Sequence, residues 1–198
     1  MALPELVREH PLVDEILETH RDRARGDDAG WAGYRGHVMR VLNLARALAP
    51  DRPERDDKLA VAAAFHDLDA FATMDYLAPS IAAQDAWLAR TGRAAWADEL
   101  AVVVAEHHRL TRYRGPHADL AEPFRAADVA DLTQGLVHPG LPRSFVRAVR
   151  ATFDVGPFFT RVVAGGIIRR IACHPLDPLP YMRARRALAR SGHDRADG

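Results

Sequence analysis

Apolar residues along the chain recur at helical rather than alternating spacing. The patterns are rich in alanine, leucine and arginine, and even the β-branched run 102–104 lies inside one of them. Proline and glycine fall between the patterns, where they mark breaks. The sequence therefore predicts an all-α fold of about nine helices, over residues 4–24, 30–49, 54–67, 80–92, 93–109, 119–135, 142–153, 157–172 and 179–191.

The domain organisation follows from length and from the absence of internal boundaries. At 198 residues the chain is long enough for one well-packed domain, and no repeat or low-complexity linker divides it. We expect residues 1–198 to form a single helical bundle with its functional core over about 30–135. The C-terminal helices over 140–191 are expected to pack against that core.

Composition excludes several classes of protein. The 27 basic and 27 acidic residues cancel, so no sequence-wide charge attracts nucleic acid or anionic lipid. Cys173 is the only cysteine, which excludes an internal disulfide and a thiolate zinc cluster. No stretch approaches the roughly 18 apolar residues of a membrane span, and the start MALPELVREH lacks the pattern of a signal peptide. A cytoplasmic protein without a membrane partner is expected.

Polar side chains interrupt the apolar helix faces at a few positions. His37 lies on the apolar stripe of its helix, the doublet His66-Asp67 directly follows the run LAVAAAF, and Asp128 lies on the apolar face of the helix over 119–135. Burying a carboxylate without a partner costs several kcal/mol. Two aspartates and two histidines on core faces remove that cost together if they surround a cation. Imidazole and carboxylate ligands suit Mn, Fe, Co, Ni or Zn.

These residues occur in the order H…HD…D, with 29 residues from His37 to His66 and 61 from Asp67 to Asp128. With their contexts YRGHVMRV, AAAFHDLD and RAADVADL, they resemble the HD superfamily of metal-dependent phosphohydrolases over about residues 30–135. The resemblance implies that the four residues bind a divalent transition metal, with Asp131 as an alternative to Asp128. It also implies that a metal-activated water attacks a nucleotide or another small phosphate ester.

A pair of histidines ends the helix predicted over 93–109. In HD enzymes a histidine from this region often binds a second metal or acts as a general acid, so the resemblance implies catalytic roles for His107 and His108. The GYP signature of the HD-GYP phosphodiesterases is missing. Between Asp67 and His107 there is no histidine, although dimetal relatives usually place a ligand there. By this resemblance its absence favours one metal over two, with His107 as the acid that protonates the leaving oxygen or as a substrate contact.

Acidic residues keep a second ion open as an alternative. Glu99, Glu106 or Asp69 could substitute as a bridging ligand. Asp69 follows the doublet closely and is a candidate catalytic residue. It either orients the nucleophilic water or a ligand histidine, or it merely ends the helix.

Arginines flank the motifs on both sides of the expected pocket. A guanidinium group binds phosphate in a two-pronged fashion, which suits a phosphate ester. Arg109 and Arg112 directly follow the histidine pair, and Arg40 lies on the helix of His37. These three arginines are the candidates for substrate binding.

Other functions remain possible on the same site. The superfamily also contains di-iron oxygenases and hydratases, and a metal that only ties helices together would make the chain a binding protein without catalysis. HD proteins often form dimers, so a homodimer is an alternative to a monomer, with the apolar C-terminal helices as its interface.

Overall fold

The computed structural model describes residues 3–24, 27–73, 75–138 and 140–157. These residues form seven α-helices, which are α1 (Pro11–Thr19), α2 (Asp28–Leu48), α3 (Arg55–Phe65), α4 (Leu77–Arg90), α5 (Ala97–Glu106), α6 (Ala118–Leu132) and α7 (Arg143–Thr152). Three short 3₁₀ helices lie between them, at Arg21–Ala24, Leu68–Phe71 and Ala94–Trp96. The described residues contain no strand, which confirms the all-α prediction. The helices predicted over 157–172 and 179–191 fall outside the described residues, apart from Pro157.

α2 is the central helix of the bundle. It packs against α3, α6 and α7, and every residue from Val38 to Ala45 is buried. The burial extends round the helix because neighbours cover more than the single apolar stripe that the sequence predicts. At its start the carboxylate of Asp27 accepts a hydrogen bond of 2.8 Å from the backbone N–H of Gly30, which satisfies one of the first-turn donors.

Small side chains allow α3 to lie deep in the bundle. α3 packs against α1, α2, α4 and α5, and all its residues from Leu59 to Phe65 have 0% exposure. Alanine occupies four of these seven positions, so the neighbouring helices can approach the backbone closely. The end of α3, where His66 and Asp67 follow, is therefore surrounded by other helices.

The largest difference from the predicted elements lies at the N-terminus, where a helix over 4–24 was expected. α1 begins only at Pro11, which has no N–H to donate and therefore suits the first helical position. The preceding residues are held against α2 by Asn43, which accepts from the backbone N–H of Val7 at 2.8 Å and donates to its carbonyl oxygen at 2.9 Å. Pairing between distant residues of this kind leaves no trace in apolar periodicity.

The other six helices that the structure describes begin and end within four residues of the predicted bounds. One of these differences matters for the site. α5 ends at Glu106, so His107 and His108 lie just beyond the helix rather than in its last turn. Their side chains are therefore placed by the chain as it leaves α5.

Candidate metal centre

Four side chains from three neighbouring parts of the bundle meet in its interior. α2 contributes His37, the end of α3 contributes His66 and Asp67, and α6 contributes Asp128. The Nε2 atoms of His37 and His66 lie 2.9 Å apart. One oxygen of Asp67 and one of Asp128 lie 3.6–3.8 Å from both of these nitrogens. None of the four residues is more than 2% exposed, so the structure brings the predicted ligands together in a closed site.

These separations fit atoms that share one ion. Ligand atoms about 2.1 Å from a transition metal lie roughly 3 Å apart at a right angle and roughly 4 Å apart on opposite sides. The observed 2.9–3.8 Å correspond to neighbouring positions around such an ion. The ligand atoms of His37, His66 and Asp128 all lie within 4.8 Å of one another, so these three groups can hold one ion.

The outer nitrogens of both rings show which atoms face inward. Nδ1 of His37 donates to the carboxylate of Asp131 at 2.7 Å, and Nδ1 of His66 donates to the carbonyl oxygen of Ala63 at 2.7 Å. Carboxylate and carbonyl oxygens only accept, so the hydrogen of each neutral ring lies on Nδ1 and the lone pair on Nε2. Two lone pairs at 2.9 Å require positive charge between them, carried by a proton or by a metal ion.

Asp128 gives a second indication of a cation. Both of its carboxylate oxygens are buried and accept no hydrogen bond from any described residue. The nearest donor is Nδ1 of His108 at 3.5 Å, which is longer than an ordinary N–H···O hydrogen bond. Because a buried carboxylate that accepts no hydrogen bond is costly, a bound cation is the partner that this geometry fits.

The pKa shifts favour the metal-binding form for His66, Asp67 and Asp128. Burial lowers the pKa of His37, but its hydrogen bond to Asp131 outweighs burial and raises it. Burial lowers the pKa of His66 to about 4, which keeps that ring neutral. Burial raises the pKa of Asp67, but the nearby His66 and His107 outweigh it and hold the pKa well below its usual range. The pKa of Asp128 is lowered in the same way, against burial, by its contacts with His108 and His107. Neutral imidazole and ionised carboxylate are the forms that ligate a metal.

His107 and His108 reach the same place from the end of α5. Nδ1 of His107 donates to the carbonyl oxygen of Val104 at 2.6 Å, so its Nε2 faces Asp67 at 3.2 Å. The ring of His108 packs against that of His107, with centroids 3.8 Å apart and planes tilted by 45°. Its Nε2 lies 3.8 Å from a carboxylate oxygen of Asp67. We call the six residues the metal cluster; they offer three overlapping sets of ligands, which are His37-His66-Asp128, His66-Asp67-His107 and His107-His108-Asp128.

His108 is the member of the metal cluster that solvent can reach. Its side chain is 15% exposed, whereas the other five side chains are at most 3% exposed. The buried hydroxyl of Tyr76 makes a hydrogen bond with Nε2 of His108, and the two rings pack edge to face. No pattern in the sequence selects Tyr76, because it lies in the irregular segment before α4 and outside every apolar pattern.

Asp131 and Arg40 lie behind His37, away from the other ligands. The carboxylate of Asp131 accepts a hydrogen bond from Nδ1 of His37. This geometry therefore favours Asp128 over Asp131 as the ligand. Arg40 is 3% exposed and donates to both oxygens of Asp131, at 2.6 and 2.9 Å, and to the backbone of Asp154 at 2.6 Å. The sequence predicts substrate contact for Arg40, but the structure commits its guanidinium to these protein groups. The sequence spacing of Arg40 and Asp131 could have indicated this pairing, because each follows a predicted ligand by three residues on a helix.

Asp69 is buried beside the doublet but is paired with a group outside the metal cluster. Its carboxylate accepts from Arg23, and its backbone N–H donates to the hydroxyl of Ser80 at 3.3 Å. The other carboxylate oxygen is buried and accepts no hydrogen bond within the described residues. The catalytic role suggested for Asp69 stays a prediction.

The two glutamates considered as ligands for a second ion are bound to basic side chains elsewhere. Glu99 pairs with Lys58 at 3.0 Å and with Arg52 near the start of α5. Glu106 pairs with Arg109 at 3.1 Å. Neither belongs to the ligand sets found among the described residues.

The two remaining arginine candidates have different surroundings. Arg109 donates to Glu106 and to the hydroxyl of Thr111, and it lies over the ring of Tyr113. Arg112 is exposed and lines a surface groove with Tyr113, between the loop 110–118 and α6. Arg112 therefore has the more available guanidinium.

Comparison with known proteins identifies the part of the chain that carries the metal cluster. A family model described as HD domain matches residues 34–133. That span contains the whole metal cluster and ends before α7. A search of the curated proteins and a search of the solved structures gave no match. Among the described residues, no helix has the length and apolar character needed to cross a membrane.

Proposed function

The chain belongs to the HD-domain family, and on this premise we propose that it is a metal-dependent phosphohydrolase acting on a nucleotide or another small phosphate ester. His37, His66, Asp67 and Asp128 would hold one divalent transition metal. The observation that carries the proposal is the buried meeting of the two histidine Nε2 atoms, 2.9 Å apart, beside the carboxylate of Asp128. This arrangement calls for positive charge, and its donor atoms are those that Mn, Fe, Co, Ni and Zn accept.

A divalent ion held by these residues would lower the pKa of a bound water and polarise a phosphoryl oxygen. The residues of the chain determine how well that chemistry is directed. Hydrogen bonds to Ala63 and Asp131 fix the rings of His66 and His37, so the ligands need little rearrangement. Burial keeps bulk water away from the centre, which strengthens electrostatic interactions with a developing charge.

We assign protonation of the leaving oxygen to His108 rather than to His107, which the sequence favours. A substrate that arrives from solvent meets His108 first, because that side chain is the partly exposed member of the metal cluster. His107 donates Nδ1 to Val104 and directs Nε2 at Asp67, so it is better placed to orient Asp67 or to ligate. A positioned acid of this kind contributes about 10²–10⁴ in rate.

Arg112 is the group we propose to bind the phosphate of the substrate. It is exposed in the groove beside the loop 110–118, where a fork of N–H donors can hold two phosphoryl oxygens. Arg109 supports the same loop through its bonds to Glu106 and Thr111. Substrate selection within the phosphate esters would then depend on this loop.

A di-iron oxygenase is the second candidate function. The set His107, His108 and Asp128 could hold another ion beside the first. Such an enzyme would contain two irons per chain, whereas the proposed hydrolase needs one metal. A hydratase or a metal-stabilised binding protein would also keep the cluster but would release no phosphate.

Metal analysis together with a panel of phosphate esters tests the proposal. Protein purified without chelator is analysed for metal, and turnover is measured with manganese, cobalt or nickel. We expect about one ion per chain and phosphate release from at least one ester, with both lost in Asp67→Ala. Asp56→Ala is the matched control, because it removes a carboxylate that pairs with Arg46 on the surface of α2 and α3. No turnover across the panel rules against a hydrolase, and two irons per chain favour the oxygenase.

A further inference from the structure

We propose that residues 153–157, beyond the span matched by the family model, form part of the support of the metal centre. Acting through Arg40 and Asp131, this segment holds the ring of His37 in the orientation that binds the ion. Arg40 and Asp131 are thus positioning residues. The inference rests on the proposed metal centre and extends it to a part of the chain after α7.

A continuous chain of hydrogen bonds joins the segment to the ligand. Nδ1 of His37 donates to Asp131 at 2.7 Å, Arg40 donates to both oxygens of Asp131, and a third N–H of Arg40 donates to the carbonyl oxygen of Asp154 at 2.6 Å. His37, Arg40 and Asp131 are 2–4% exposed, so water offers little competition for these bonds. Because a guanidinium is planar and rigid, binding at three points fixes the carboxylate that faces His37.

The backbone of α2 is shaped to receive the segment. A Cβ atom at Gly36 would collide with the carbonyl oxygen of Asp154, the acceptor for Arg40. A Cβ atom at Gly156, whose φ of 51° already favours glycine, would collide with the backbone of Gly33. Phe153 is 8% exposed and anchors the same segment in the core. The contact therefore requires glycine both in α2 and in the segment 153–157.

The network acts on the ligand and not only on the stability of the bundle. The bond to Asp131 keeps the hydrogen of His37 on Nδ1 and leaves Nε2 for the ion. If the bond is lost, the ring can turn or exchange its tautomer. Loss of such partners behind a ligating histidine typically weakens metal binding 10- to 100-fold.

The chain offers a matched control on the same helix. Arg46 also lies on α2 and forms an ion pair with Asp56 at 2.9 Å, but neither residue belongs to the metal cluster. Arg46→Met removes an arginine and an ion pair of α2, as Arg40→Met does, without disturbing His37. The comparison separates general loss of an ion pair from loss of ligand support.

The test measures Zn²⁺ affinity of the full chain by competition with a chromophoric chelator, after metal removal and with folding checked by circular dichroism. We expect about 10- to 100-fold weaker binding in Arg40→Met and about tenfold weaker binding in Gly36→Ala, which alters no polar side chain. Arg46→Met should bind like the wild type. Arg40→Lys keeps the charge and part of the hydrogen bonding, so its Zn²⁺ affinity should lie between those of Arg40→Met and the wild type. It replaces Arg40→Met if that variant does not fold.

Two results would overturn the inference. One is wild-type affinity and an unchanged Co²⁺ absorption spectrum in Arg40→Met or, if it replaces that variant, in Arg40→Lys. The other is equal weakening in Arg46→Met. A wild-type chain that takes up no Zn²⁺ would instead overturn the proposed metal centre itself, so the two failures are distinguishable.

Discussion

The Nε2 atoms of His37 and His66 lie 2.9 Å apart in a part of the bundle closed to solvent, while both Nδ1 atoms are engaged with acceptors. Two neutral imidazoles cannot make a hydrogen bond in this arrangement, because neither ring has a hydrogen left to place between them. The metal-free protein must either hold a proton there or tolerate repulsion. Metal binding removes this conflict, and the stability of the fold should therefore depend on metal.

We predict that a divalent transition metal raises the thermal stability of the chain. A ligand that binds only the folded state at 100 times its dissociation constant adds about 2.7 kcal/mol to the free energy of unfolding. Scanning calorimetry with excess chelator and with Zn²⁺ or Mn²⁺ measures the shift. His66→Gln removes one of the two facing nitrogens and should show little shift. Identical transitions of the wild type in both conditions would contradict the prediction.

We predict that Glu99 stabilises the fold in a pH-dependent manner without affecting metal. Burial raises the pKa of Glu99, but the hydrogen bonds from Arg52 and Lys58 outweigh it and lower the pKa. A lowered folded-state pKa means that the stabilisation is present above the unfolded-state value, about 4.3, and is lost as pH falls through the lower folded value. Glu99→Gln should therefore lose about 1 kcal/mol at pH 7 and progressively less below about pH 4.

Urea unfolding of metal-free protein across this pH range measures the difference between Glu99→Gln and the wild type. Glu54→Gln serves as the control, because Glu54 pairs with the same Lys58 at 3.4 Å but its side chain is 55% exposed. A deficit in Glu99→Gln that is as large at pH 3 as at pH 7 would refute the electrostatic cause. Weaker Zn²⁺ binding by this variant would show that Glu99 does reach the metal centre.

Periodicity predicted the part of the fold that local physics determines. The spacing of apolar residues placed α2 to α7 within four residues of their bounds, because each helix must bury an apolar face. The same logic selected Asp128, since an aspartate on such a face needs a partner. Recognising the doublet His66-Asp67 then joined three separate helices into one site.

The remaining features depend on contacts between distant residues. Arg40 looked like a phosphate ligand because its sequence position does not reveal that Asp131 and the backbone of Asp154 occupy its donors. Tyr76 lies in an irregular segment and meets His108 only through the packing of α4 against α5. No pattern of residue types along the chain encodes these pairings.

We predict that Arg112 contributes to substrate binding more than to the chemical step. Its exposed guanidinium can bind the phosphate in both the ground state and the transition state. Removing a hydrogen bond to a charged group costs about 1.5–3 kcal/mol, so Arg112→Ala should raise KM about 10- to 100-fold with kcat little changed. Steady-state kinetics on the best ester of the panel measures both. Arg90→Ala, at the exposed end of α4, should leave both constants alone, and an unchanged KM in Arg112→Ala would remove the residue from the binding site.

We predict that Tyr76 acts on turnover through His108. The phenol lies against Nε2 of His108, while Nδ1 of the same ring faces Asp128 at 3.5 Å, so the hydroxyl fixes how the ring is presented. Tyr76→Phe keeps the buried ring and should lower kcat about three- to tenfold, the effect of one hydrogen bond, with Zn²⁺ affinity unchanged. His108→Gln should lower kcat about 100-fold or more if the residue is the acid.

The double variant of Tyr76 and His108 decides whether the two residues act together. If Tyr76 works only by orienting His108, its loss has no further effect once that ring is absent, and Tyr76→Phe/His108→Gln should turn over as slowly as His108→Gln alone. Additive losses would mean that the phenol contacts the substrate directly. Weaker Zn²⁺ binding in Tyr76→Phe would instead indicate that His108 is a metal ligand. The hydroxyl of Tyr76 would then support a coordinating ring, as partners behind a ligating histidine do.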